Sequence, residues 1–463
     1  LAEALPELGH EDLVGKLSGE RRFIWLKRHL TPRQQYDINR LGLPGIGFVE
    51  DERRVYPQGP LFAHALGYTG IDNHGLAGLE RALDERLAAP ERGERPEPLV
   101  LSLDLRVQHA LREELVRSVE TFRALGAAGL VLDVDTGEIL ALVSLPDFDP
   151  NLPDAPTGEA MFNRATLGVY EMGSTFKIFT VAMALDSGSV TIDGGYDASQ
   201  PIAASGYVIT DYHPQSRFLT VPEIMVHSSN IGAAKMALDL GAARQKEYLH
   251  RFGLLTAARI ELPEVGLPLA PETWRDINTM TIAFGHGVAV SPLQLANAAA
   301  AIVNGGVLRP ATLIKRADEG PVPGVQVISA ETSRTMRWLM RLVVEQGTGR
   351  NAEASGYFVG GKTGTAEKAI AGHYQKSALL STFVGAFPMR KPRYVVLITL
   401  DEPKGTPETF GFATAGWTAA PTASRLITRL GPLLGIEPMA PLAPAANGTL
   451  VQHEEGRLEL ASF

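Results

Sequence analysis

The chain has 463 residues, of which 45% are hydrophobic and 21% are charged, so it is long enough for about two to four domains with large buried cores. Its formal net charge of −9 does not favour nucleic acid as a partner. Because cysteine is absent, disulfides, thiol catalysis and cysteine–zinc sites are excluded.

Other features of the sequence bear on cofactors and membranes. The 11 histidines are scattered and form no H-E-x-x-H motif, so we predict neither a metal site nor a cofactor. No apolar run reaches the ~18 residues that indicate a membrane helix, and no signal peptide opens the chain. The apolar stretch 287–308 contains a proline and several amides and is predicted to be a buried helix.

The first 97 residues, which are rich in Arg, Glu and Leu, are predicted to form a non-catalytic α+β domain. A linker is predicted at 90–98, where three prolines flank a charged stretch. The elements predicted in this domain are helices at 11–16 and 32–41, a short strand at 53–55, and a helix from the glycine-containing segment 75–81 to about residue 87.

Residues 98–434 are predicted to form a second domain, followed by a Pro- and Ala-rich, then polar, C-terminal tail at 435–463. The predicted strands 129–134 and 138–144 form a hairpin, and their apolar runs favour a central place in a sheet. Because a hairpin precedes a run of helices and then more strands, an α+β fold with an antiparallel sheet is predicted, not alternating βαβ units. The predicted elements are strands at 129–134, 138–144, 357–365, 379–387 and 394–400 and helices at 105–125, 174–185, 222–252, 291–304, 330–345 and 415–430.

Residues 171–180 read Glu-Met-Gly-Ser-Thr-Phe-Lys-Ile-Phe-Thr and place a lysine three residues after a serine. The following apolar residues are spaced for one helical face. On a helix, residues i and i+3 are neighbours, and a serine in the first turn lies near free N–H groups and the positive end of the dipole. Ser174 and Lys177 therefore have the arrangement of an activated nucleophile, although an isolated S-x-x-K is more often a helix cap beside a solvated lysine.

Residues 356–363 match the phosphate-binding pattern G-x-x-x-x-G-K-[ST], and the strand at 394–400 is followed by an Asp-Glu pair of the kind that holds magnesium in P-loop NTPases. A P-loop needs a flexible loop followed at once by a helix. Here the loop would contain the strand-favouring residues 357–359, and no good helix begins after Lys362. The sequence therefore disfavours an NTPase.

Three motifs occur in order along the chain: Ser174-x-x-Lys177, Ser228-x-Asn230 and Lys362-Thr363-Gly364. Each is weak alone, but the ordered set is typical of penicillin-binding proteins and class A β-lactamases. Over residues 98–434 the chain resembles the penicillin-recognising serine transpeptidases. This resemblance implies their β-lactamase-like fold, an antiparallel sheet flanked by helices with a helical subdomain.

Other segments resemble one class within that family. Residues 75–80 are similar to the pedestal domain of class B penicillin-binding proteins, so the resemblance assigns residues 1–97 to a pedestal. Arg164, residues 170–180 and the run Asp-Tyr-His-Pro at 211–214 also resemble that class. Residues 410–417 are similar to the division-specific, FtsI-like branch. The resemblance implies a peptidoglycan D,D-transpeptidase of septal wall synthesis that acts on stem peptides and is a target of β-lactams.

The resemblance also implies that five residues are catalytic: Ser174, Lys177, Ser228, Asn230 and Lys362. Ser174 attacks the penultimate D-Ala carbonyl of a stem peptide, and β-lactams acylate the same serine. Lys177 accepts the proton of Ser174 and must be neutral to do so; burial and the charge of Lys362 both favour that form. Ser228 relays the proton to the leaving D-Ala, while Asn230 holds the substrate amide and positions Lys177.

Substrate-binding roles follow for the third motif. Lys362 and Thr363 bind the terminal carboxylate of the donor, which the β-lactam carboxylate mimics. Gly364 lets the substrate lie against the strand as an added strand. The backbone N–H groups of Ser174 and Thr365 form the oxyanion hole.

Proteins of the same fold with other functions remain alternatives. A β-lactamase needs a water-activating acid, usually in a Glu-x-x-x-Asn pattern, and none occurs between Asn230 and Lys362. A β-lactam sensor would lack the pedestal motif, and a class A enzyme would need a glycan polymerase domain for which 97 residues are too few. An elongation-type class B protein remains open as an alternative to the division type.

The sequence departs from the class B pattern at two points. The cytoplasmic tail, membrane helix and first pedestal strands expected before Leu1 are missing, and Met172 stands where a proline is common. The first departure implies that the pedestal is N-terminally incomplete and that this chain is the part on the periplasmic face of the bacterial inner membrane. We expect an FtsW-like glycan polymerase and divisome proteins as partners, through residues 1–97 and the missing single-pass anchor.

Overall fold

The computed structural model describes residues 1–19, 21–87, 97–152, 158–317, 322–370 and 373–439. Within these residues the helices are α1 (His10–Leu17), α2 (Pro32–Arg40), α3 (Ala63–Leu66), α4 (Gly78–Ala82), α5 (Asp84–Leu87), α6 (Leu105–Phe122), α7 (Lys177–Asp186), α8 (Val221–His227), α9 (Asn230–Leu240), α10 (Ala242–Arg251), α11 (Asp276–Ile282), α12 (Pro292–Val303), α13 (Ala330–Gln346) and α14 (Ala419–Leu433).

The strands in the same residues are β1 (Gly126–Asp133), β2 (Ile139–Leu145), β3 (Tyr170–Glu171), β4 (Gly195–Asp197), β5 (Ile202–Ala204), β6 (Tyr207–Ile209), β7 (Phe218–Thr220), β8 (Ala289–Val290), β9 (Val307–Leu308), β10 (Val325–Gln326), β11 (Gly360–Ile370), β12 (His373–Phe387) and β13 (Tyr394–Asp401). Five of them form an antiparallel sheet in the order β11-β12-β13-β1-β2. The predicted α+β fold is confirmed.

Strand β1 is buried on both faces because helices cover both sides of the sheet. Leu130 and Leu132 pack into the core that contains α7, α12 and α13, whereas Val131 between them packs into the core that contains α6 and α14. Successive side chains of a strand point to opposite faces, so an apolar run without alternation is what a doubly covered strand requires.

Helix α6 begins at a side-chain cap and covers one face of the sheet. The Asp104 carboxylate accepts a hydrogen bond from the backbone N–H of Arg106 at 2.8 Å, which satisfies a free donor of the first turn. Leu111 and Leu115 lie one turn apart and are fully buried in the core beside β1. The helix ends where Arg123 adopts a left-handed conformation with φ 48°.

The helices between β2 and β11 form a lobe beside the other face of the sheet. Within α7, every residue from Lys177 to Ala184 is buried. Of the stretch 287–308 predicted as a buried helix, only α12 is helical, since 289–290 and 307–308 are the strands β8 and β9. Ser291 caps α12 by accepting from the backbone N–H of Gln294 at 3.2 Å. In the described part of the chain, no helix is both long and apolar enough to cross a bilayer.

Two strand predictions were wrong. Residues 53–55 form no strand, since the backbone N–H of Arg54 donates to the Asn73 side chain at 3.3 Å instead of to a neighbouring strand. Strand β2 lies at an edge of the sheet and not at its centre. The side-chain amide of Gln108 pairs with both the N–H and the carbonyl of Leu142, each at 2.8 Å, so this edge is covered and can remain apolar.

Several predicted bounds also differ from the structure. The predicted helix 222–252 is three helices, α8 to α10, with breaks at 228–229 and at Gly241. The helix predicted up to residue 87 is interrupted at Leu83, and the strand predicted from 357 begins at Gly360. Residues 90–96 of the predicted linker and 440–463 of the predicted tail lie outside the described residues. The domain boundaries at 97 and 434 therefore stay predictions.

Replacing Leu111 by alanine is expected to lower the free energy of unfolding by about 2–5 kcal/mol, because it leaves a cavity between α6 and β1. Leu105 lies on the same helix with 46% of its surface exposed, so Leu105→Ala is expected to change the free energy by less than about 0.5 kcal/mol. Urea unfolding followed by circular dichroism measures both. Equal effects of the two substitutions would contradict this account of the core.

Candidate active site

Ser174 lies in a tight turn at the start of a buried helix. Residues Gly173–Phe176 form a 3-10 turn, and α7 follows from Lys177. In a 3-10 turn, residues i and i+3 are nearly eclipsed, which brings the two side chains together. The Lys177 Nζ lies 2.7 Å from the Ser174 Oγ. The sequence predicts a regular first helical turn here. The structure has a tighter turn instead, but Ser174 and Lys177 are neighbours as predicted.

Polar groups from two further elements enclose the Lys177 amine. Its Nζ donates to Asn230 Oδ1 at 2.7 Å and lies 3.3 Å from Ser228 Oγ. The ring centroid of Phe284 is 5.9 Å from the same atom. The residue has no exposed surface, so the amine interacts with protein groups in place of bulk water.

Ser228 and Asn230 flank the junction of two helices. Ser228 ends α8 in a left-handed conformation with φ 58° and ψ 43°, and Asn230 is the first residue of α9. Ser229 caps α9, since its Oγ accepts from the backbone N–H of Gly232 at 2.9 Å. The sharp change of direction brings the side chains of both 228 and 230 to Lys177.

Lys362 approaches the same serine from the edge strand β11. Its Nζ donates to Ser228 Oγ at 2.9 Å and to the Thr363 carbonyl at 3.0 Å, and its side chain is fully buried. The hydroxyls of Thr363 and Thr348 lie 2.7 Å apart. Ser228 therefore stands between the two lysines and contacts both.

Burial sets the charge of these lysines. Burial, followed by the positive charge of Lys362, holds the pKa of Lys177 well below its ordinary value, while the Asp211 carboxylate acts in the opposite direction. Burial also lowers the pKa of Lys362 to about 7. Two ammonium groups on one serine would repel each other strongly in a water-poor site. The arrangement therefore favours a neutral Lys177 at neutral pH.

Close backbone contacts hold the turn with Ser174 against β11. A Cβ added to Gly364 would lie 2.3 Å from the Met172 carbonyl and 3.0 Å from the backbone N of Thr175. A Cβ added to Gly173 would lie 2.7 Å from the carbonyl of Thr365. Only glycine permits these approaches, because the atoms met are backbone atoms. Gly364 therefore fixes the distance between the turn and the strand.

Residues 356–363 lack the loop-and-helix arrangement of a phosphate-binding site, in agreement with the sequence, which disfavours an NTPase. Residues 360–363 are the start of β11 and not a loop before a helix. The acidic pair that follows β13 accepts hydrogen bonds from Lys368, at 2.7 Å for Asp401 and 3.0 Å for Glu402. No group of three or more His, Asp or Glu side chains that could hold a metal ion occurs in the described residues.

Some residues of the site were not predicted from the sequence. Thr348 contacts Thr363, and Phe284 contacts Lys177, but neither belongs to a motif. Asp211 belongs to the 211–214 run that resembles class B proteins, but the sequence assigned it no role. Their contacts join segments far apart in the chain, for which the sequence carries no local signal.

Residues 127–426 match the family described as the penicillin binding protein transpeptidase domain. The chain belongs to this family. It is 44% identical over 457 residues to the probable peptidoglycan D,D-transpeptidase FtsI of Caulobacter vibrioides, and the matched region covers 96% of this chain and 77% of that protein. It is 31% identical over 458 residues to the peptidoglycan D,D-transpeptidase FtsI of Escherichia coli K12, which covers 94% and 76%.

Solved structures of penicillin-binding proteins share the fold. The transpeptidase domain of Burkholderia pseudomallei penicillin-binding protein 3 has a TM-score of 0.67 and 34% identity, covering 75% of this chain and 100% of that one. Penicillin-binding protein 3 of Mycobacterium tuberculosis with aztreonam has a TM-score of 0.75 and 28% identity, covering 84% and 93%. The predicted membership of the FtsI-like class B penicillin-binding proteins and the predicted transpeptidase fold are confirmed.

Gly364→Ala is expected to slow the reaction with a penicillin by about 10- to 100-fold, because the added Cβ pushes the Ser174 turn away from β11. Gly15→Ala is a matched control, since an added Cβ there meets nothing within 4 Å. The measurement is the second-order rate of labelling by a fluorescent penicillin, with thermal unfolding to confirm that both variants fold. A wild-type rate for Gly364→Ala would contradict the role of this contact.

Proposed function

We propose that this chain, a peptidoglycan D,D-transpeptidase, cross-links stem peptides in septal wall synthesis with Ser174 as its nucleophile. The observation that carries the assignment is the contact between the buried Lys177 amine and the Ser174 hydroxyl at 2.7 Å. A neutral amine at this distance can take the hydroxyl proton as the oxygen attacks a carbonyl. The second and third motifs surround the same pair of atoms.

Acylation proceeds through a tetrahedral intermediate. Ser174 Oγ bonds to the carbonyl carbon of the penultimate D-Ala while its proton passes to Lys177 Nζ. The bond to the terminal D-Ala then breaks, and the leaving amine takes a proton through the Ser228 hydroxyl, which lies 3.3 Å from Nζ. Asn230 holds Lys177 in place through its Oδ1 and binds the substrate amide. The product is an acyl-enzyme and free D-Ala.

Substrate binding uses the strand that borders the turn. Lys362 and Thr363 bind the carboxylate of the terminal D-Ala, since a carboxylate next to the Lys362 amine favours the charged ammonium. The donor peptide lies along β11 as an added strand, which the absence of a side chain at Gly364 permits. Backbone N–H groups of Ser174 and Thr365 stabilise the oxyanion. β-Lactams follow the same path and remain attached to Ser174.

The second half of the reaction transfers the acyl group to an amine. The acceptor is an amino group of a neighbouring stem peptide, and its attack on the ester restores free Ser174. Excluding water from the ester favours this amine over hydrolysis. Asp211 and Glu171 are both engaged as hydrogen-bond acceptors, which does not favour either carboxylate as an activator of water.

The N-terminal region supports a proposal about location and partners. We place the chain on the periplasmic face of the bacterial inner membrane, held by a membrane segment outside this sequence. Residues 1–97 form the pedestal in this proposal and dock on an FtsW-like glycan polymerase of the divisome. Exposed aromatic side chains of this region, such as Phe23 and Trp25, offer a surface for such a partner. A division role is favoured over an elongation role by the named FtsI relatives.

Incubation with a penicillin is expected to add one adduct per chain, on the peptide that contains Ser174. Ser174→Ala should lose this adduct, because removing a catalytic serine lowers rates by about a million-fold in serine proteases. Ser187→Ala, at the other end of α7, should keep it. Intact-mass analysis followed by peptide mapping measures the adduct. Labelling at another residue would contradict the assignment.

The second-order rate of penicillin labelling is expected to fall above a pH of about 7, where Lys362 loses the charge that attracts the carboxylate. Lys362→Arg keeps a permanent charge, so its profile is expected to lack this decline even if its rate is lower. The rate is measured by stopped-flow fluorescence between pH 5 and pH 9. A wild-type rate that rises through pH 9 would show that Lys362 does not act in this way.

The acyl-enzyme formed with a penicillin is expected to persist far longer than the ~0.1 s of a typical turnover. The β-lactam leaving group stays tethered in the site, and the sequence between Asn230 and Lys362 has no Glu-x-x-x-Asn pattern to supply a water-activating acid. The measurement is the decay of labelled protein after the free drug is removed. Loss within seconds would indicate a β-lactamase, and persistence without D-Ala release from a stem peptide would indicate a sensor.

A further inference from the structure

The loop after β6 holds the start of α9 from outside the three motifs. Asp211 is 7% exposed, and its Oδ1 accepts from the backbone N–H groups of Asn230 at 2.6 Å and Ile231 at 3.0 Å. Its Oδ2 accepts from the Ser229 hydroxyl at 2.7 Å. One carboxylate thus binds three consecutive residues, of which Asn230 touches Lys177.

These contacts exceed what capping the helix requires. Ser229 already caps α9 through Gly232 N–H at 2.9 Å. Asp211 satisfies the remaining donors of the first turn and places a negative charge at the positive end of the helix. Hydrogen bonds to a carboxylate are about twice as strong as those between neutral groups, so the start of α9 is tied firmly to this loop.

The same loop sets the orientation of the Asn230 amide. Its Nδ2 donates to the carbonyl of Thr210 at 2.9 Å, and its Oδ1 accepts from Lys177 Nζ at 2.7 Å. Because the NH₂ end is bound to a carbonyl, the oxygen end faces the lysine. Two adjacent loop residues, Thr210 and Asp211, therefore hold the side chain and the main chain of Asn230.

The residue before this junction is strained. Ser228 has a left-handed conformation with φ 58°, which is uncommon and unfavourable for residues other than glycine. Such a conformation persists where the surroundings determine it. The tether on residues 229–231 is one of those surroundings, and it fixes the Ser228 hydroxyl between Lys177 and Lys362.

We propose that Asp211 is a positioning residue for the acylation of Ser174, and that its carboxylate fixes the 228–230 turn so that Ser228 and Asn230 both reach Lys177. The proposal rests on the function proposed above. The hydrogen bonds of the Asp211 carboxylate go to residues 229–231 and not to Ser174 or Lys177, so Asp211 acts through the turn that it holds.

Because Asp211 is charged, the proposal also predicts a change in how the acylation rate depends on pH. The charged groups that act on Lys177 are Lys362 on β11, which lowers its pKa, and Asp211, which raises it. Removing the carboxylate charge therefore lowers the pKa of Lys177 further. Because the neutral amine is the base, the rate rises as pH passes this pKa, and the rising limb moves to lower pH when the charge is lost.

The test uses Asp211→Asn, which keeps the size of the side chain but not its charge. Its second-order rate of labelling by a fluorescent penicillin is expected to fall by about 10- to 100-fold at the plateau, with the rising limb at lower pH. Asp211→Glu keeps the charge but moves it by one methylene. Its maximal labelling rate should therefore fall, while the pH at which the rate rises should stay unchanged. Asp197→Asn, an exposed aspartate of the same lobe, should change neither.

A double substitution separates positioning from general loss of structure. In a protein that already carries Asn230→Ala, adding Asp211→Asn is expected to lower the labelling rate by less than a further ~3-fold, because both changes disturb the same turn. A full additional loss of 10- to 100-fold would overturn the proposal. If Asp211→Asn does not fold, Asp211→Glu decides, and a wild-type plateau in that variant overturns the proposal.

Failure of this proposal is distinct from failure of the proposed function. A wild-type rate and pH profile in folded Asp211→Asn would overturn the role of Asp211 while Ser174 labelling of the wild type still stands. No labelling of the wild type would overturn the function itself.

Discussion

The active site depends on keeping one amino group out of water. Lys177 is fully buried, and Ser174, Ser228 and Asn230 take the place of its hydration shell. A buried ammonium is unfavourable, so burial favours the neutral amine that a base requires. Lys362, on the other side of Ser228, adds a second reason for Lys177 to give up its proton.

Burying that amine requires parts of the chain that are far apart in sequence. The sheet supplies Lys362 from its edge strand, the turn before α7 supplies Ser174, and the junction of α8 and α9 supplies Ser228 and Asn230. These parts meet because backbone approaches backbone at Gly364, where a side chain would not fit. Met172 contributes its carbonyl to this contact and is itself buried.

The position of β11 at the edge of the sheet links the fold to substrate binding. An unpaired strand edge normally invites aggregation, and proteins protect such edges. At the opposite edge, the Gln108 amide covers β2. The β11 edge instead borders the Ser174 turn, and in the proposed mechanism a peptide donor pairs with it. The same sheet thus has one edge closed by a side chain and one edge beside the Ser174 turn.

The sequence alone determined the family and the motif residues, because Ser174, Lys177, Ser228, Asn230 and Lys362 lie in short segments whose order is distinctive. Local patterns also indicated the five strands of the sheet and most of the long helices, since periodicity and capping act over a few residues, but they missed the breaks at 228–229 and Gly241. Tertiary structure decided the edge position of β2, the 3-10 turn at Ser174, and the contacts of Thr348, Phe284 and Asp211. These depend on which distant segments meet, and the burial that lowers the pKa of Lys177 exists only once they have met.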